Sequence, residues 1–290
     1  MPTSKNKFLK PIKEAREKFM TLLSFKEFEH QAWLKAVDQY DISFSRLTQQ
    51  TIPAILNELD IRKGVSMLDV ACGPGYLAAA AHHKGAIVNG VDFSSAMIAR
   101  ARQHHPHIDF SEGDAEDLKK YSDEHFDAVG MNFGIIHLGQ PENALKAAYR
   151  VLKVGGRLAF TAWCKPQEAV GFLFVRQAVE KFGNPNVELP LALPLFFFSE
   201  PENCKNVLTQ CGFANPHIQV INQTWELHSL DELFEAFLKG TARTAGLLKG
   251  QSAEQQKAIR EAICNSLKDY TSHGKITIPM PALVASGTKI

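Results

Sequence analysis

Leu68-Asp69-Val70-Ala71-Cys72-Gly73-Pro74-Gly75 reads as an apolar strand carrying an acidic residue into a glycine turn, and Ala78, Ala79, Ala80 and Ala81 open a helix behind it. A strand that passes through a Gly-rich turn into a helix brings backbone close to a bound cofactor. Gly73-Pro74-Gly75-Tyr76-Leu77-Ala78 also satisfies the dinucleotide fingerprint, with Ala in the last slot. That use needs N–H groups aimed at a pyrophosphate, and Pro74 has none. Asp69 would also bring a negative charge close to the phosphates. A cofactor with cationic groups and no phosphate makes the opposite demand. A carboxylate at the strand tip suits it, and Gly73 and Gly75 let the backbone approach closely. A tight strand–helix turn without any ligand would read the same way, so the neighbouring residues decide.

S-adenosylmethionine carries such groups, a sulfonium and an ammonium. The next anchor, Val91-Asp92-Phe93-Ser94, ends the second predicted strand. Asp92 can accept hydrogen bonds from ribose hydroxyls there; its alternative role is to cap the helix that follows. Gly113-Asp114-Ala115-Glu116-Asp117-Leu118 follows the third strand. Asp114 can accept from an adenine amine while the Ala115 N–H faces a ring nitrogen; the alternative is an acidic helix start favoured by the macrodipole. Gly130-Met131-Asn132-Phe133-Gly134 ends the fourth strand, where the ligands of open α/β sheets collect.

Taken in order, LDVACGPG, VDFSSAMI, GDAEDL, FDAVGMNFGIIHL and RVLKVGGRLAF resemble the class I S-adenosylmethionine-dependent methyltransferases, in the broad small-molecule group that is similar to the quinone C-methyltransferases. The resemblance covers residues 33 to 165. It implies an α/β, Rossmann-like sheet of seven strands, six parallel and one antiparallel, with helices on both faces. It implies that Asp69, Gly73 and Gly75 hold the methionine end, with Ala71 and Cys72 of the same turn in the binding set. Asp92 would hold the ribose, and Asp114 and Ala115 the adenine. Phe93 and Met97 would flank the nucleoside, Asn132 and Phe133 would face the sulfonium, and Tyr40 would close over the cofactor. S-adenosyl-L-homocysteine would be the product.

The rest of the chain bounds this reading. Its 290 residues are 45% hydrophobic with a net charge of +1. That composition is globular and provides no large basic excess for nucleic acid. The five cysteines form no CxxC pair, so neither a disulfide framework nor a zinc site is legible and a reducing, cytoplasmic setting is expected. No apolar run approaches a membrane span, and the N-terminal stretch lacks the order of a signal peptide. Phe8, Ile12, Ala15, Phe19 and Leu22 fall at helical spacing and predict an amphipathic surface helix.

The expected organisation is an N-terminal helical lid over 1–60, a cofactor-binding core over 61–165, and a substrate cap with the final strands over 166–290. Strands are expected at 65–70, 87–91, 108–110, 128–131, 157–161, 218–225 and 276–286. Helices are expected from about Tyr76, Ser94, Ala115, Pro141, Ala169, Pro201, Leu230 and Ala253. Pro279 and Pro281 predict an edge or bulged position for the last strand. Leu189–Phe198 contains two prolines, which exclude a regular helix; it packs as buried loop or walls an apolar pocket.

Methyl transfer is an in-line displacement in which alignment supplies much of the catalysis. A base is needed only where the acceptor must shed a proton. His137, just past the fourth strand, is the candidate base, with packing or hydrogen bonding as the alternative. Trp163, Phe172, Phe174 and Phe196–Phe198 suggest a small apolar or aromatic acceptor. His104-His105-Pro106-His107 lacks a carboxylate or Cys partner at ligand spacing and reads as solvated surface, with no metal. The fourth strand lacks the Asn-Pro-Pro-Tyr that would indicate base or glutamine N-methylation. A non-catalytic protein that binds S-adenosylmethionine or S-adenosylhomocysteine, an RNA methyltransferase and an NAD-type oxidoreductase are the competing readings.

Overall fold

The computed structural model describes residues 25–290; the amphipathic helix expected over residues 8–22 lies outside them. Helix α1 covers residues 25–42, followed by α2 (Phe44–Thr48) and α3 (Ile52–Glu58). The alternating region then supplies β1 (Ser66–Val70), α4 (Tyr76–His83), β2 (Ile87–Asp92), α5 (Ser95–His104), β3 (Asp109–Glu112), β4 (Phe126–Met131), α6 (Pro141–Val151) and β5 (Leu152–Trp163). The remainder supplies α7 (Val170–Phe182), α8 (Pro201–Gln210), β6 (Phe213–Ile221), β7 (Thr224–Leu227), α9 (Glu232–Gly240), α10 (Arg243–Lys249), α11 (Ala253–Leu267), β8 (Thr271–Ser272), β9 (Lys275–Pro279) and β10 (Ala282–Lys289).

The principal sheet has seven strands in the order β3-β2-β1-β4-β5-β10-β6. Strand β10 runs antiparallel to both β5 and β6, and the other pairings are parallel. This is the six-plus-one arrangement that the resemblance implied. Side chains alternate between faces. Met67, Ala128, Ala159 and Val284 pack with Ile55 of α3, Ala78 of α4 and Ile98 of α5 on one face. Leu68, Val129, Phe160 and Ala285 pack with Leu145 of α6, Val175 of α7 and Leu208 of α8 on the other. Burial on both faces explains why these strands read as nearly continuous apolar runs. Strand order reverses at β1 and β4, which opens a crevice beyond their carboxyl ends.

Several expected elements take a different form. The segment 218–225 is two strands, β6 in the principal sheet and β7 in a three-stranded sheet with β9 and β8. The segment 276–286 likewise divides into β9 and β10. The prolines mark the crossing between sheets, where the Met280 N–H donates to the Gln223 carbonyl. Strand β10 is therefore interior rather than at an edge; its irregularity lies between Ser286 and Thr288. No helix begins at Ala115: residues 115–117 turn, and Leu118 takes a left-handed φ of 47°. Strand β5 begins at Leu152, before the expected Arg157. Helix α10 had no counterpart in the sequence reading. Leu189–Phe198 is irregular, as its prolines require, and ends in a 3-10 turn at Phe197–Ser199.

Among the described residues, no helix is long and apolar enough to cross a membrane. All five cysteines are unpaired.

Gly75 connects the turn to α4 with φ 85°, and a Cβ there would lie 2.7 Å from the Phe110 ring. Gly75→Ala should therefore destabilise the protein by about 2 kcal/mol or more, through backbone strain and collision together. Chemical denaturation measures this; an unchanged midpoint would show that the turn tolerates a side chain.

Candidate functional site

After β1 the chain enters left-handed conformation at Ala71 (φ 52°) and Gly73 (φ 51°). This reversal presents backbone to the crevice. It is held from the neighbouring strand by Asp92. One Asp92 oxygen accepts the Gly73 N–H at 2.9 Å, and the other accepts the Ser94 N–H at 2.9 Å. The side chain that caps α5 is Ser94, which accepts from the Met97 N–H, so capping is not the task of Asp92. Burial raises the Asp92 carboxyl above its ordinary range, and the two N–H bonds oppose that rise.

Asp69 is 1% exposed. Its Oδ2 accepts the Ala78 N–H at 2.9 Å, and its Oδ1 is buried without a hydrogen-bond partner among the described residues. Burial pushes this carboxyl up to about 8, against the lowering effect of the Ala78 bond. A buried, half-satisfied carboxylate gains from an added cation or donor.

A cavity opens over these strand ends. Its lining includes Tyr40, Ala71, Gly73, Asp92, Phe93 and Met97 from the sequence reading, together with Asp114, Ala115, Asn132, Phe133 and His137. Asp69, Cys72 and Gly75 lie outside the lining. Asp69 faces the start of α4, and Gly75 backs onto Phe110. The Cys72 sulfur packs beneath, close to Gly90, and burial raises its thiol well above the ordinary value. A Cβ built on Gly73 would meet nothing within 4 Å, so the space that a side chain would take there is left to the cavity.

The far wall is polar. Asp114 pairs with Lys26 of α1 and accepts the Glu116 N–H at 3.0 Å. The Ala115 N–H has no partner among the described residues. Asn132 has its amide fully engaged: Nδ2 donates to the Thr48 carbonyl, and Oδ1 accepts from Thr51 and Thr161. Its side chain therefore anchors α2 and the start of α3 to the β4 end. Phe133 adopts φ 56°, stabilised by its N–H donating to Thr161 at 2.8 Å. Its ring packs 4.1 Å from that of Trp163. Tyr40 bonds to Thr48, and burial raises its phenol to about 12.

A second, smaller cavity adjoins the first; Trp33, Tyr40, Phe133 and His137 line both. Its remaining walls include Phe44, Trp163, Phe172 and Leu195, with Arg243 at one side. Of the aromatics suggested as acceptor contacts, Trp163 and Phe172 line this space. Phe174 instead packs on Tyr270, and Phe198 on Phe160. Leu195 is the part of the Leu189–Phe198 run that reaches the cavity wall.

Sequence reasoning missed what α1 and α10 contribute. Lys26 and Trp33 line the first cavity, and Glu29, fully buried, ties α1 to His137 and Arg243. One signal was present: Phe25, Glu29, Trp33, Ala36 and Tyr40 share one helix face, and Glu29 is the carboxylate in an otherwise apolar stripe. Among the described residues, no group of His, Cys, Asp and Glu could hold a metal ion, including the 104–107 histidines.

A family profile described as a methyltransferase domain matches residues 68–160, the stretch from the β1 turn through β5. Residues 68–160 are thus similar to a methyltransferase domain. Curated relatives include a demethylmenaquinone methyltransferase of Paenarthrobacter aurescens, 34% identical over 112 residues, 39% of this chain and 44% of that protein. A ubiquinone biosynthesis O-methyltransferase of Pseudomonas savastanoi pv. phaseolicola is 31% identical over 130 residues, 42% of this chain and 56% of that protein. The chain thus spans about half the length of the curated relatives it matches. Among solved structures, the YcgJ protein of Bacillus subtilis superposes with a TM-score of 0.54 at 18% identity, covering 82% of this chain and 97% of that one. The phosphoethanolamine N-methyltransferase 2 of Haemonchus contortus, solved with phosphomonomethylethanolamine and S-adenosylhomocysteine, gives 0.52 at 20% identity, covering 92% of this chain and 60% of that one. These structural likenesses are likenesses of fold. The matched stretch ends within β5, so α1 and the α9–α10 region that complete the two cavities lie outside it.

The elevated Asp69 carboxyl makes stability pH-dependent. Its folded pKa of about 8 exceeds the unfolded value of about 4, so the folded state holds a proton that the unfolded state releases between those values. Stability should fall as pH rises from about 4 to about 8 and lose no more beyond that. Thermal unfolding across this window should show the loss in the parent protein and a flatter profile in Asp69→Asn. Equal slopes would contradict the assignment.

Proposed function

We propose that the protein is an S-adenosylmethionine-dependent methyltransferase acting on a small apolar or aromatic acceptor. The observation that carries this reading is the pairing of two cavities across a shared wall. One is rimmed by the Gly73 turn, Asp92 and Asp114, and the other is walled by aromatic rings. The residues suit the cofactor. The open space at Gly73 accommodates an amino-acid end, whereas a pyrophosphate would meet the buried carboxylate of Asp92 on the cavity wall. Asp92 retains lone pairs for ribose hydroxyls. Asp114 and the Ala115 N–H provide an acceptor and a donor for adenine, and Phe93 and Met97 supply apolar faces for the nucleoside. Ala71 and the Asn132-Phe133 backbone border the donor's reactive end, and Tyr40 covers it.

When bound, S-adenosylmethionine supplies a methyl group activated by its sulfonium. The protein's contribution is to align the acceptor with that methyl and exclude water. Helix α1 roofs both cavities, so it would gate entry and product release. Lys26–Asp114 and Arg100 with Asp38 and Asp41 hold it to the core. The unpaired cysteines fit a reducing, cytoplasmic setting. The near-neutral charge favours a small acceptor over nucleic acid.

Calorimetric titration with S-adenosylhomocysteine tests this reading. The parent should bind, and Asp92→Ala should weaken binding by about tenfold or more, through loss of charge-assisted hydrogen bonds, while thermal melting confirms that the variant is folded. Absence of binding by the parent, or binding of NADH in its place, would contradict the proposal.

A further inference from the structure

Glu29 is the least expected residue in the lid. It is 0% exposed on a helix whose neighbouring buried positions are apolar or aromatic. Three donors converge on its carboxylate: Trp33 Nε1 at 3.0 Å and His137 Nδ1 at 3.0 Å on Oε2, and Arg243 Nε at 3.3 Å on Oε1. Arg243 is itself fixed by donating to the carbonyls of Leu193 and Ile136, and its guanidinium lies over the Phe25 ring. Glu29, His137 and Arg243 are thus held in one buried cluster.

An ionised carboxylate can only accept hydrogen bonds. The contact at Nδ1 therefore places the ring proton there and leaves Nε2 as a bare lone pair in the neutral ring. Nε2 has no partner among the described residues. Trp33 sets the ring orientation edge-on, with centroids 4.9 Å apart. His137 lines both cavities, so its imidazole belongs to the wall between the two spaces.

The second cavity limits what such a base can serve. Its lining contains no Asp or Glu, so nothing there balances a protonated amine, and Arg243 contributes a cation beside aromatic rings. That environment favours a flat apolar molecule that becomes negative as it reacts.

Building on the methyltransferase reading, we propose that Glu29 is a positioning residue that sets His137 as proton acceptor for an aromatic or enolic hydroxyl group held in the second cavity. The acceptor O–H bond breaks and its proton passes to His137 Nε2. The oxygen's electron pair forms the new bond to the methyl carbon as the carbon–sulfur bond breaks, and that pair stays on sulfur. The products are a methyl ether and S-adenosylhomocysteine, and the imidazolium returns its proton to water.

The test uses 4-nitrophenol, whose phenolate is coloured, with the full chain saturated by S-adenosylhomocysteine at a pH about one unit below the probe's half-ionisation, where about a tenth of the free probe is ionised. Binding to the parent should raise the phenolate fraction by about threefold or more. The rise should vanish in His137→Gln and Glu29→Gln, each measured at S-adenosylhomocysteine concentrations that saturate the variant and with thermal melting showing that it is folded. Long-range 15N spectra of the unmodified parent provide a check that does not depend on the variants folding: His137 should carry its proton on Nδ1. Failure of S-adenosylhomocysteine to bind the parent would remove the underlying reading and this inference together. If it binds but the probe does not, or if the phenolate rise survives in either variant, or if the proton resides on Nε2, this inference alone is overturned.

Discussion

The carboxylate of Asp92 joins the ends of two adjacent strands, and the crevice depends on that junction. One oxygen holds the Gly73 N–H at the turn leaving β1, and the other holds the Ser94 N–H at the entry to α5. The turn is left-handed at Ala71 and Gly73 and costs energy at Ala71, the non-glycine position; an acceptor placed on the Gly73 N–H offsets part of that cost. The same contact brings a buried negative group to the cavity wall, where a ligand with hydroxyl donors regains the hydrogen bonds that burial denied it. The position of the turn, the electrostatic character of the cavity and the start of α5 thus all pass through one side chain.

The crevice becomes enclosed only because elements distant in sequence close over it. Helix α1 lays Lys26, Trp33 and Tyr40 along its roof, and Glu29 reaches through to His137 and Arg243. Full burial of a carboxylate is costly, and removing one partner from such a group is more costly still. The Glu29 cluster therefore specifies one docked position for the helix rather than a general apolar association. The two cavities and helix α1 meet at a single wall formed by His137, Phe133, Trp33 and Tyr40.

The central sheet was legible in the sequence because its strands are short, nearly all apolar and punctuated by helices. Two-sided burial of Met67 and Leu68, of Ala128 and Val129, and of Ala159 and Phe160 is what that texture encodes. The crevice residues at the ends of β1, β2, β3 and β4 were legible because each follows a strand at a predictable place, whereas Lys26 and Trp33 of α1 were not. The division of 218–225 and 276–286 between two sheets was not, since apolar alternation continues across both breaks and a proline pair marks a bulge as readily as a crossing. Ala115 opens a turn because Asp114 bonds the next N–H itself, the competition with helix that short acidic side chains offer. The Glu29–His137–Arg243 cluster joins residues separated by 108 and 214 positions, and no local periodicity reports a contact of that range. Asp69 shows a subtler gap. Its acidic identity was informative, but its orientation toward α4 and its unsatisfied oxygen follow only from the strand register and the helix placement.

The most direct test of the central claim is a crystal structure of the protein with S-adenosylhomocysteine. The ligand should lie over the carboxyl ends of β1, β2 and β4, with its ribose hydroxyls on Asp92 and its adenine beside Asp114 and Ala115. Its sulfur should face the wall that His137 and Phe133 share with the aromatic cavity. A ligand bound elsewhere, or one whose sulfur points away from that wall, would contradict transfer of a methyl group into the second cavity.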